Sequence, residues 1–218
     1  FPRRAAASPD ERARLVHRLA DLLERDAAAF SRILVAESGK PRAEAAREVS
    51  SSAAYLRWNA EEGRRCYGRT APALHAGAWL CTVRQPLGVV CAITPWNYPL
   101  NTLCRKLAPA LAAGCTTVVK PAPETPLSAV ELMRRAEEAG WPPGVVNLVT
   151  TDRAAEVAGA WLADPRVRKI AFTGSTEVGK MLLRASADTL KRISLELGGH
   201  APALVFADAD LDQAAAAI

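Results

Sequence analysis

The chain has 218 residues, half of them hydrophobic and 23% charged, with 28 Lys and Arg against 23 Asp and Glu for a net charge of +5. That length and composition suit one domain with a sizeable core and part of another, and they exclude a disordered chain. The positive excess is scattered in pairs such as Arg64-Arg65 and Arg134-Arg135, which argues against a nucleic-acid arm, and no apolar run is long enough for a membrane-spanning helix.

The first stretch reads as helix. Leu15, Leu19, Leu22, Leu23, Phe30, Ile33 and Leu34 recur mostly three, four or seven apart. Ser8 with Glu11 three residues on, and Pro9 at the first helical position, form a start signal. Gly39 and Pro41 break the pattern, and a second helix is expected over about 44–62, stopping at Gly63, with Val49, Ala53 and Leu56 on its apolar face. After Gly68 the texture changes. Residues 78–84 suit a strand, 85–88 a turn and 89–93 a short buried strand. Two prolines keep residues 94–99 irregular. Helix is expected over 103–113, strand over 116–120, helix over 128–139, strand over 145–149 and helix over 153–162. Strand 169–172, helix 177–185, strands 192–195 and 203–206, and a helix opened by Asp210 complete the series. Short apolar strands alternating with helices predict an α/β fold with a mostly parallel sheet. The loops after Ile93, Val119, Phe172 and Leu195 then share the carboxyl edge, where such sheets bind ligands.

Five cysteines, odd in number and without C-x-x-C spacing, point to a reducing, cytoplasmic setting and away from a disulfide framework. His17, His75 and His200 are too dispersed for a zinc site, and no G-x-S-x-G elbow supports a serine hydrolase. Four segments carry candidate chemistry. Phe172-Thr173-Gly174-Ser175 leads from a strand into a helix, whose free N–H groups suit either a phosphate or a plain serine cap. Lys120 ends a buried strand and either reaches solvent or binds ribose or phosphate. Asn97, between Pro95 and Pro99, is either an oxyanion donor or a loop amide serving its own backbone. Glu196, between Leu195 and Leu197, is either a general base, with partial burial raising its pKa, or a structural carboxylate.

Taken together, T-P-W-N-Y-P, V-V-K-P-A, F-T-G-S-T-x-V-G-K and L-E-L-G-G, in this order, resemble the aldehyde dehydrogenase superfamily over nearly the whole chain. The resemblance implies a Rossmann-like sheet with helices on both faces, N-terminal helices (1–67), an oligomerisation hairpin (68–86) and a dinucleotide-binding domain (87–218). It implies oxidation of an aldehyde to an acid by NADP or NAD, through a thiohemiacetal and an acyl-enzyme. Asn97 then matches the oxyanion amide and Glu196 the base for deacylation. Lys120 matches the adenosine-ribose lysine, and Gly174 and Ser175 match the pyrophosphate site. Ile93, Thr94, Pro95 and Trp96 match the nicotinamide side, and Pro123, Val178, Leu197 and Gly198 complete the cofactor set. Ala60-Glu61-Glu62-Gly63-Arg64-Arg65, Arg105-Lys106 and Gly198-Gly199-His200-Ala201-Pro202 are similar to succinate-semialdehyde dehydrogenases.

Three departures qualify the match. No F-x-N-x-G-Q-x-C segment is present, so none of the five cysteines is assigned as nucleophile, and Cys104 and Cys115 read as small core residues. The segment, which begins at Phe1, is therefore expected to be a fragment, inactive alone and lacking the catalytic cysteine domain. Pro123 stands where NAD-preferring members carry a glutamate, which places NADP ahead of NAD. Val149-Thr150-Thr151 lacks the glycine common after that strand. The expected partners are a small aldehyde and, at full length, further copies of the same chain, with neither nucleic acid nor membrane. The competing functions are a dinucleotide-binding module without catalysis and a dehydrogenase for another aliphatic aldehyde.

Overall fold

A computed structural model describes residue 1 and residues 7–217. Three helices come first: α1 (Pro9–Arg25), α2 (Ala27–Ser38) and α3 (Arg42–Arg64). The Ser8 hydroxyl accepts from the Glu11 N–H and caps α1. The helical stretch expected to be continuous divides at Asp26, whose carboxylate pairs with Arg25 and Arg135. Gly63 does not end α3 as expected. It lies inside the helix, where a Cβ would stand 3.0 Å from the Ala112 Cβ, so its lack of a side chain permits close helix packing.

Strands β1 (Arg69–Pro72) and β2 (Trp79–Thr82) form a separate antiparallel hairpin, exposed along its length. The remaining strands form one five-stranded, wholly parallel sheet: β3 (Val89–Ile93), β4 (Thr116–Lys120), β5 (Val146–Leu148), β6 (Val167–Thr173) and β7 (Arg192–Glu196). Their spatial order is β5-β4-β3-β6-β7. The chain thus builds outward from β3 in one direction and then the other, and the reversal lies between β3 and β6. Between the strands run α4 (Pro99–Ala112), α5 (Leu127–Glu138), α6 (Ala154–Ala163) and α7 (Thr176–Ser186), and α8 (Leu211–Ala217) follows β7. The Asp210 carboxylate accepts from the Asp212 and Gln213 N–H groups and starts α8 as expected.

Side-chain alternation allocates the two faces. Ala92 and Val119 join the larger core with α1–α5, while Cys91, Ile93, Ile170 and Phe172 pack with Leu162 and Leu182 of α6 and α7. Helices therefore cover both faces of the sheet. Residues 203–206 form no strand, contrary to expectation. Among the described residues no strand pairs with them, and Leu204 and Phe206 stand exposed.

Helix α4 is held at both ends. It starts at Pro99, four residues earlier than expected, because the Glu48 carboxylate receives the Leu100 and Asn101 N–H groups. At the other end the Arg12 guanidinium donates to the Ala112 carbonyl at 2.8 Å. A carboxylate at the N-terminus and a cation at the C-terminus both complement the helix dipole. The positions of α4's side chains are thereby fixed against the N-terminal helices.

Candidate active site

Parallel pairing brings the candidate segments to one edge. Ile93 pairs in register with Lys120 on one side and Phe172 on the other, and Thr173 pairs with Glu196. Ile93, Thr94, Pro95, Trp96 and Asn97 thus leave the sheet beside Gly174 and Ser175 at the strand-order reversal, the usual ligand crevice of an open α/β sheet. Lys120 and Pro123 lie beyond β4, while Glu196, Leu197 and Gly198 lie beyond β7.

The Tyr98 backbone N–H donates to Asn97 Oδ1 at 3.0 Å. The carbonyl end of the amide is thereby engaged, and Nδ2, on an exposed side chain, remains to donate outward. The Thr94 hydroxyl at the same edge is buried without a partner. Lys120 does not reach solvent. It is 3% exposed, its ammonium donates to the Pro121 carbonyl at 2.8 Å, and burial lowers its pKa. The Ser175 hydroxyl accepts from the Val178 N–H and caps α7, the plainer of its two readings. The anion now at this helix start is the chain's own Glu177 carboxylate, held below its usual range by its own backbone N–H and the Ser175 hydroxyl. Leu197 lies against α7, where a Cβ at Gly179 would come 2.6 Å from its Cδ2, and Gly198 faces Thr176. Val178, Leu197 and Gly198 therefore sit together around the first turn of α7. The residues at this edge fit a dinucleotide: a helix N-terminus that already attracts an anion, a buried orphan hydroxyl and a glycine turn all lie beyond the carboxyl ends of β3, β6 and β7.

The exposure of Glu196 corrects the sequence reading. It ends β7, the outer strand of the sheet, and among the described residues it is exposed rather than partly buried. It lines a cleft of about 660 Å³ between α4 and one face of β6 and β7. Tyr98, the neighbour of Asn97, is at the same cleft, as are Thr102, Arg105, Lys106 and Thr173. Alternation explains the lining: Thr173, Ser194 and Glu196 face the cleft, while Phe172 and Leu195 turn to α7.

Lys106, noted in the sequence only as part of the Arg105-Lys106 pair, is a group to which sequence reasoning gave no role. Its Nζ donates to Thr173 Oγ1 at 2.7 Å, and burial lowers its pKa from 10.5 to about 8, against the opposing pull of Glu196. The available signal was a lysine among apolar helical residues, next to Leu107 and Ala108. Because the unfolded chain holds this proton more tightly, the Lys106 contribution to stability rises between about pH 8 and 10.5. Urea unfolding of the full-length protein at both ends of this window should show the gain, and Lys106→Met should abolish it. Burial also pushes the Cys91 and Cys104 thiols up to about 12, which unfits both as thiolate nucleophiles. Cys115 is buried, and Cys66 and Cys81 are exposed outside the cleft.

Comparison with known proteins identifies the family. The sequence pattern of the Aldehyde dehydrogenase family matches residues 1–218. This chain belongs to the aldehyde dehydrogenase family. A Sinorhizobium fredii protein named "Probable succinate-semialdehyde dehydrogenase (NADP(+))" is 53% identical over 182 residues, which are 84% of this chain and 37% of that protein. A Pseudomonas aeruginosa glutarate-semialdehyde dehydrogenase is 47% identical over 214 residues, 98% of this chain and 44% of the relative. The crystal structure of an aldehyde dehydrogenase from Brucella melitensis biovar abortus superposes with a TM-score of 0.93 at 50% identity, covering 98% of this chain and 44% of that one. The chain thus spans less than half the length of these family members.

Proposed function

We propose that the full-length protein oxidises a small aldehyde carrying an anionic tail, succinate semialdehyde first among them, to the acid with NADP or NAD. The observation that carries this is the pairing, at one sheet edge, of an amide with its carbonyl end engaged by Tyr98 N–H and a carboxylate on the adjoining cleft. Asn97 Nδ2 donates to the aldehyde oxygen as it gains negative charge. Glu196 takes a proton from the water that attacks the acyl group. The attacking thiolate comes from the remainder of the protein, since no F-x-N-x-G-Q-x-C segment is present and the Cys91 and Cys104 thiols are poorly ionised. Gly174, Ser175, Lys120 and the segment 93–96 would hold the dinucleotide, which would supply a hydride acceptor there. Aldehyde, oxidised cofactor and water thus give acid, reduced cofactor and one proton.

The anionic tail is supported by charge. Arg105, Lys106 and Lys169 all line the cleft. The Sinorhizobium and Pseudomonas relatives are named for aldehydes that end in a carboxylate. The exposed hairpin of β1 and β2, with Trp79 85% exposed, is proposed to join copies of the full-length chain. No described helix is long and apolar enough to cross a membrane.

A substrate panel on the full-length protein with both cofactors tests the proposal. Turnover of succinate semialdehyde above butanal is expected. Binding of dinucleotide without turnover of any aldehyde would overturn it. The cofactor preference rests on Pro123, which is exposed and uncharged where a glutamate would stand, with Glu124, one position later, the carboxylate that acts on Lys120. Pro123→Glu should shift the ratio of kcat/KM values about tenfold towards NAD, because like-charge repulsion of roughly 1.4 kcal/mol is enough. An unchanged ratio would remove Pro123 from the argument.

A further inference from the structure

Glu48 is a carboxylate on the buried face of α3, in line with Ala45, Ser52 and Leu56, and its side chain is wholly shielded from solvent. Its Oε1 accepts the Leu100 and Asn101 N–H groups, each at 3.0 Å. Its Oε2 is paired with the Lys40 ammonium. Lys40 lies in the turn between α2 and α3, and its side chain is 8% exposed. The same ammonium donates to the Asn97 backbone carbonyl at 2.9 Å and sits 4.3 Å from the centre of the Tyr98 ring.

A buried ion pair is a poor way to gain stability, because desolvation offsets much of the attraction and an apolar pair would pack as well. This pair is directed at the peptide that follows Asn97 and at the first turn of α4. Lys40 fixes the Asn97 carbonyl, Glu48 fixes the start of α4, and the intervening Tyr98 N–H fixes Asn97 Oδ1. With backbone and amide plane both held, the direction of Nδ2 is determined. We infer that Lys40 and Glu48 are positioning residues that aim the Asn97 amide at the reacting oxygen. The inference rests on the reading of Asn97 as oxyanion donor.

The test is a double-mutant cycle in the full-length protein, with K40M, N97A and K40M/N97A compared for kcat, both KM values and Tm. N97A is expected to lower kcat about a hundredfold or more. K40M should lower kcat about ten- to a hundredfold, as small misplacements do, with the KM for NADP unchanged. In the N97A background K40M should cost no further kcat, since there is no amide left to aim. K40R should recover part of the loss. An equal fall in kcat with and without the Asn97 amide would overturn the positioning role alone. No fall from K40M would do the same. No fall from N97A would overturn both this role and the oxyanion reading. If K40M does not fold, E48Q carries the same cycle: it keeps an acceptor for Leu100 and Asn101 but loses the charge that holds Lys40.

Discussion

Glu196→Gln in the full-length enzyme is expected to leave the first turnover nearly intact and to lower the steady-state rate about 10²- to 10⁴-fold, the range for loss of a positioned general base. The substitution is close to isosteric, so the exposed end of β7 keeps its shape and its pairing with Thr173. It removes only the capacity to take a proton. Hydride transfer needs the thiolate and the oxyanion donor, neither of which is Glu196. Hydrolysis of the acyl group needs water made more nucleophilic, and Glu196 is the carboxylate that lines the cleft. A rapid-mixing experiment should therefore show a burst of reduced cofactor close to one per active site, followed by a slow phase. Hydroxylamine, which attacks an acyl group without a general base, should restore the slow phase. A burst that slowed in step with the steady state would place Glu196 before hydride transfer, in activation of the thiol. The Lys106 ammonium bears on the same experiment. Its pKa, lowered by burial to about 8, leaves it mostly charged near neutral pH and neutral at higher pH. Lys106→Met should then move the alkaline part of the pH profile without abolishing turnover.

What could be read from the sequence follows from how local the determinants are. Strands β3 and β4 fall where the apolar runs 89–93 and 116–120 put them, because Gly88 and Gly114, at φ of 125° and 88°, punctuate their starts. The carboxyl-edge placement of Asn97, Lys120, Ser175 and Glu196 follows from parallel topology, which strand and helix alternation discloses. The start of α4 was misread because its cap is Glu48, half a hundred residues upstream. Residues 203–206 have the composition of a strand, but a strand also needs a neighbour, and composition does not supply one. The Lys40–Glu48 pair left a trace that could have been used. Glu48 falls on the apolar stripe of α3 beside Val49, and a carboxylate there requires a partner brought by the fold. Which lysine supplies it is a tertiary fact. The reverse error was made at Glu196, where flanking leucines suggested burial, yet Leu195 packs against the α7 side while the carboxylate faces the open cleft.

Arg105→Met should lower kcat/KM for succinate semialdehyde about ten- to a hundredfold, chiefly through KM, and leave butanal unaffected. Arg105 projects from α4 into the cleft, two turns beyond Asn97 and Tyr98. Its Nε donates to Asn101 Oδ1 at 2.9 Å, and its guanidinium lies 5.5 Å from the centre of the Tyr55 ring. These contacts hold the group while leaving other N–H donors unengaged by the described residues. A carboxylate tail reaching this helix would meet a planar, permanently charged fork. A hydrogen bond between charged partners contributes about 1.5–3 kcal/mol, which corresponds to roughly a ten- to 150-fold change in binding. Methionine keeps the apolar stem over Tyr55 and removes the charge, so the loss is confined to substrates that carry an anion. For the unmodified enzyme, KM for succinate semialdehyde should rise with salt, because the exposed guanidinium is screened. That dependence should vanish in the variant. An equal loss for butanal and succinate semialdehyde would mean that Arg105 supports the helix rather than the substrate. The anion-binding group would then have to be Lys169 or a residue from the remainder of the protein.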